Sequence, residues 1–227
     1  MEDLENILNN AVIGLSLLLS LLFLFNFKKF NAVEMLFGFY MTILAVFEFI
    51  AWASIHVFEV KNNIPGLHAF TFFEFITLGF FMMRSMTLFH FKPPITTILT
   101  IGSILIILNS MYVQDIYIYN SYSIAGVKFF IIAMSIFFFY WVLLRNDFLT
   151  NDLKPTVYFF TAIFFKASVE LTFYLYGNFL VEVGGEGWKQ INFYKISSTF
   201  MAYLTMLAGI YFILSRDKNT PIQESQL

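Results

Sequence analysis

Apolar residues gather into seven runs along this chain, at roughly 8–26, 33–57, 67–91, 94–113, 121–144, 156–181 and 191–214. At a rise of about 1.5 Å per residue, each run is long enough as a helix to cross a hydrocarbon core about 30 Å thick. Short polar or turn-forming segments interrupt them at 27–31, 59–66, 91–94, 114–120, 145–155 and 182–190. Backbone groups exposed to lipid must be paired within the segment, so runs of this kind predict helices rather than open strands. The expected fold is an all-α polytopic membrane protein, one bundle of seven transmembrane helices over residues 1–227.

Composition agrees with that class. Of 227 residues 59% are hydrophobic, 21% aromatic and 12% charged, with a mean hydropathy of +0.75. That is too apolar for an ordinary soluble domain. A net charge of −2, with basic residues scattered singly or in one pair, leaves no footprint for nucleic acid. The absence of cysteine removes disulfides, thiolate nucleophiles and cysteine-based metal sites. The acidic start, with Glu2, Asp3 and Glu5, and an apolar run longer than a signal-peptide core predict that the first span is retained.

Charge asymmetry orients the bundle. Alternate connections and the short polar tail at 215–227 carry Lys28, Lys29, Lys92, Arg145, Lys154, Arg216 and Lys218, whereas the opposite connections carry only Lys61 and Lys189. The positive-inside bias places the N-terminus outside and the tail in the cytoplasm. No internal repeat is evident, and no connection is long enough to hold an output domain.

Ionisable residues inside the spans carry most of the functional information, because a charge at the bilayer centre costs about 2.5–3.5 kcal/mol on insertion scales. Glu48, His68, Glu74, Lys128, Glu170 and Lys195 fall in the expected outer half, and Lys166 lies near the midplane. Three acids therefore accompany three lysines, drawn from five helices. Helical spacing arranges them in stripes: Glu48, Trp52 and His56; Lys166, Glu170 and Tyr174; Thr71, Glu74 and Thr77; Asn192, Lys195, Thr199 and Tyr203; Ser121, Lys128 and Ser135. Such stripes predict a polar pocket open to the outside. The glutamates would accept hydrogen bonds or pair a cationic group, the lysines would hold an anionic or carbonyl group, and Trp52 and Tyr174 would form apolar walls. The competing reading is a set of structural ion pairs, among them Lys166 with Glu170, and interfacial placement for His56, His68, Asn192 and Lys195.

Other features point away from chemistry. Arg84, with His90 and Lys92, reads as snorkelling toward phosphates on the inner side. Gly184-Gly185-Glu186-Gly187 lacks the spacing and following residues of a phosphate cradle. Asn109 and Ser110 read as helix-packing groups, and the Phe-rich runs as packing. Seven-helix zinc hydrolases similar to alkaline ceramidases use several intramembrane histidines, whereas only His56, His68 and His90 occur here. A retinal protein needs a lysine midway along the seventh helix, and Lys195 lies about one turn into its span. No serine or threonine shares a stripe with a histidine–acid relay. No catalytic residue, metal ligand or cofactor is assigned, and a non-enzymatic role is expected.

One segment carries a resemblance. His68, the aromatics Phe70, Phe72 and Phe73, and then Glu74-Phe75 follow the turn Asn62-Asn63-Ile64-Pro65-Gly66. This pattern resembles small seven-helix membrane proteins of Bacteroidota, some similar to the membrane portion of sensor kinases. The resemblance implies a bacterial inner membrane and a sensory role, and this chain, which has no kinase domain, would signal through a membrane or cytoplasmic protein partner. The expectation is therefore a ligand-binding or sensory protein taking a small molecule. The alternatives are a small-solute or proton-coupled transporter, in which buried carboxylates carry the coupling charge, and a non-enzymatic assembly partner.

Overall fold

The computed structural model describes residues 2–60, 63–117, 120–145, 153–183 and 186–216, apart from the side chains of residues 2, 3, 145, 176–183 and 186–189. Among them are seven long helices and no strand: α1 Glu2–Asn26, α2 Ala32–His56, α3 Ile64–Met86, α4 Ile95–Leu108, α5 Ser121–Arg145, α6 Lys154–Val183 and α7 Glu186–Leu214. Each is long and apolar enough to cross a membrane. This is the architecture of an integral membrane protein.

Local chemistry sets the helix ends. Asn31 accepts hydrogen bonds from the backbone N–H groups of Val33 and Glu34, and the Glu34 carboxylate accepts from the N–H of Asn31, closing a reciprocal cap on α2. Pro65 lies in the first turn of α3, where a missing N–H costs nothing, and Pro94 directly precedes α4. The first helix begins six residues before its apolar run. Glu2, Asp3 and Glu5 suit the positive end of a helix dipole, and hydropathy alone does not register them. The fourth span ends in a π-helical turn over Asn109–Val113, for which apolar periodicity carries no signal.

Neighbouring helices close a ring in the order α1, α2, α3, α5, α6, α7 and back to α1. Helix α4 packs outside this ring against α3 and hardly touches α5. Large apolar side chains such as Leu24, Phe80, Ile104, Leu143 and Met201 face outward, as lipid contact demands.

The interior is layered along the bundle axis. In the half remote from the N-terminal end of α1, Phe138 stacks on Phe160 with centroids 3.8 Å apart, Phe37 stacks on Phe159 at 4.0 Å, and Phe81 lies 5.1 Å from Phe160. Gly209 lets α7 approach this slab, since a Cβ there would stand 2.6 Å from the Phe159 ring. The half nearer the N-terminal end holds the buried charges. A small apolar cluster of Ile124, Phe173 and Tyr174, with Leu67 and Ile191 against it, covers them from that end.

Candidate functional site

Three ring helices deliver four charged side chains to one point. Glu74 comes from α3, Lys128 from α5, and Lys166 and Glu170 from successive turns of α6. All four are at most 5% exposed. Lys128 donates to both Glu74 oxygens, at 2.6 and 2.7 Å. Its Nζ also stands 2.7 Å from Glu170 Oε2, an ion pair by distance whose angle is poor for a hydrogen bond. Glu170 Oε1 accepts from Lys166 at 2.7 Å. Two cations and two anions thus neutralise one another, and Lys128 joins α5 to both α3 and α6.

An order of lysine before glutamate is the weaker arrangement for an isolated i,i+4 pair. Here Lys128 supplies Glu170 with a second cation. Among the described residues, Lys166 donates to Glu170 alone. The crevice between these groups is completed by Tyr40, Leu78, Ile131, Ile163 and Ala167, and it leaves no room for a water molecule. The polar stripes raised the expectation of an open pocket. In this conformation the described side chains instead form a closed ionic knot between an aromatic slab and an apolar cap. Charges held this way depend on one another, because no solvent screens them.

The third acid and the third lysine stand beside the knot. Glu48 accepts a hydrogen bond from the Tyr203 hydroxyl and lies next to Ser16 of α1. Its Oε2 is buried without a hydrogen-bond partner among the described residues. Lys195 lies over the faces of Phe173 and Tyr174, 4.6 and 5.3 Å from the ring centroids. Those rings offer it the negative face of their quadrupoles.

The remaining candidates lie elsewhere. His56 is exposed, stacks on Trp52 with centroids 5.3 Å apart, and places Nδ1 2.9 Å from the Trp52 carbonyl. A strict i,i+4 stripe advances about 40° per step around a helix of 3.6 residues per turn, so a line that faces the interior at Glu48 has turned toward the surface at His56. Followed the other way, the same stripe reaches Tyr40 on the wall of the knot, a site residue that the sequence reading missed. His68 is buried and contacts Ser110 Oγ through Nδ1 at 2.8 Å, tying α3 to the π-helical turn that ends the fourth span. Asn192 donates to Glu5, tying α7 to α1. No group of three or more histidine or acidic side chains is placed to hold a metal among the described residues.

No protein-family model, curated protein or solved structure matches this chain.

Proposed function

We propose that this chain is a sensory seven-helix membrane protein, its N-terminal end outside a bacterial inner membrane, which responds to a small charged ligand through the Lys128 knot. The observation behind this reading is one ammonium group engaging carboxylates from two other helices in a space too small for a water molecule. Ionisable groups so placed in a membrane mark function by default. A charged ligand group enters only by taking over a partner of Lys128. That substitution releases α5 from α3 or from α6, so binding and helix movement are one event. The signal then passes to a membrane or cytoplasmic protein partner. The resemblance around His68 to Glu74-Phe75 supports the same role.

The test is a thermal-unfolding screen of the purified protein against amino acids, carboxylates and small amines. A saturable rise in midpoint with one class is expected, and Lys166→Met should remove it. No shift with any class, at concentrations up to those that perturb unrelated membrane proteins, would count against the proposal.

Glu48 favours a second reading. A partly buried carboxylate whose Oε2 has no hydrogen-bond partner among the described residues is suited to taking up a proton, as a proton-coupled transporter requires. Proteoliposomes carrying an internal pH dye distinguish the two: solute-dependent proton flux, abolished by Glu48→Gln, supports transport, and binding without flux supports sensing.

A further inference from the structure

We propose that the cleft between α4 and α5 is a lateral binding site for a membrane lipid, taking one acyl chain and hydrogen-bonding the neutral ester carbonyl at its head. Both helices pack on α3 and hardly on each other. The cavity left between them measures about 310 Å³, and its lining includes Phe75, Gly102, Asn109, Ser123, Gly126 and Val127. This falls at the small end of the range for ligand pockets, about 300–1,000 Å³, and the lining has the mixture of an apolar wall with a few polar groups at one end.

The polar end specifies what the chain must carry. Ser123 is 8% exposed, and its Oγ has no hydrogen-bond partner among the described residues. Serines and threonines deeper in the helices, such as Ser135 and Thr71, donate to the carbonyl four residues earlier. Ser123 is the third residue of α5, so no carbonyl four residues earlier lies within the helix to receive its proton. On the cleft wall Asn109 spends its amide protons on Gln114 Oε1 and Asn120 Oδ1, which leaves the Ser123 hydroxyl as the unused donor there. A buried hydroxyl proton without a partner calls for an acceptor. None of the lining residues is charged, so the acceptor that fits is a neutral carbonyl rather than a carboxylate or phosphate.

Two glycines give the cleft its shape in opposite ways. At Gly102 a Cβ would lie 2.2 Å from the Phe75 ring, so the glycine lets α4 seat on α3. At Gly126 a Cβ would meet nothing within 4 Å. Packing does not explain a glycine there, but an open cleft does. The floor residue Phe75 directly follows Glu74, and the wall residue Val127 directly precedes Lys128. An occupied cleft therefore bears on the two helices that this ion pair joins.

The experiment uses the full chain in phosphatidylcholine vesicles doped with a phosphatidylcholine carrying a diazirine in one acyl chain. Photolabelling mapped by peptide mass should concentrate on residues 102–127. Gly126→Leu, which fills the cleft, should reduce that labelling several-fold at unchanged thermal stability, and Ser123→Ala should reduce it by a smaller factor. Labelling of this segment no stronger than that of the lipid-facing side of α1, or unaltered by both substitutions, would mean ordinary annular lipid and overturn the proposal. If the two variants fold and a photoreactive apolar drug-like probe labels the cleft while the phospholipid does not, the site exists for another occupant and the lipid assignment is wrong.

Discussion

Glu34 in the first turn of α2 receives both terminal guanidinium nitrogens of Arg216, two residues beyond the end of α7, at 2.7 and 3.1 Å. The carboxylate is fully buried and also closes the Asn31 cap. One side chain therefore finishes a helix and fastens the last helix to the second, at the end of the bundle remote from the ionic knot.

This clasp predicts a strong, pairwise effect on stability. Arg216→Met takes the bidentate guanidinium from a buried carboxylate and should destabilise by about 3–5 kcal/mol, whereas Arg216→Met with Glu34→Gln should recover part of that. Recovery is only partial because the cap on α2 weakens too. Thermal unfolding of the single and double variants in detergent measures the coupling.

The knot predicts a hierarchy among its lysines. Lys128→Met deprives carboxylates on two helices and should lower stability by about 3–5 kcal/mol, with Lys128→Met/Glu74→Leu restoring much of it. Lys195→Met gives up only ring-face contacts and should cost about 0.5–2 kcal/mol. Equal losses for both lysines would show that Lys128 has no special place.

The two cleft glycines should respond with opposite sign. Gly102→Ala forces a methyl group against the Phe75 ring and should destabilise by about 1–3 kcal/mol. Gly126→Ala meets open space and gains helix propensity, so it should be neutral or stabilising by up to about 1 kcal/mol. Midpoints of thermal unfolding in the same detergent decide both.

Orientation is tested separately from packing. A reporter active only in the cytoplasm should work when fused after Leu227, and one active only outside should work before Glu2. A silent cytoplasmic fusion on a well-expressed chain would reverse the assigned topology.

Hydropathy made the seven helices legible, since a span of paired backbone in lipid has few sequence solutions. The first and last residues differed where charge or proline sets the end, as at Glu2 and Pro94. The charged site was legible for a related reason: Glu74, Lys128, Lys166 and Glu170 stand out wherever a charge is expensive. Their pairing was not legible, because the helix order around the ring decides it, and nothing in the spacing of α3 and α5 places Glu74 opposite Lys128. Trp52 and His56 separated from Glu48 because their spacing precesses around α2. The Glu34 clasp did leave a local trace, Asn31 followed three residues later by a glutamate, but the partner lies at the far end of the chain. The closed interior depended on side-chain packing that periodicity does not encode.

A ring that closes with six helices leaves the seventh to a different regime of motion. Helix α4 keeps its backbone hydrogen bonds wherever it lies in the bilayer, so parting from α3 unfolds nothing. It gives up its packing on α3 and polar contacts of the turn that ends the span, His68–Ser110 and Asn109–Asn120 among them, and lipid refills the space. Among the helices described, α4 alone stands outside the ring. Separation of α4 therefore leaves in place the ion pairs that join α3, α5 and α6.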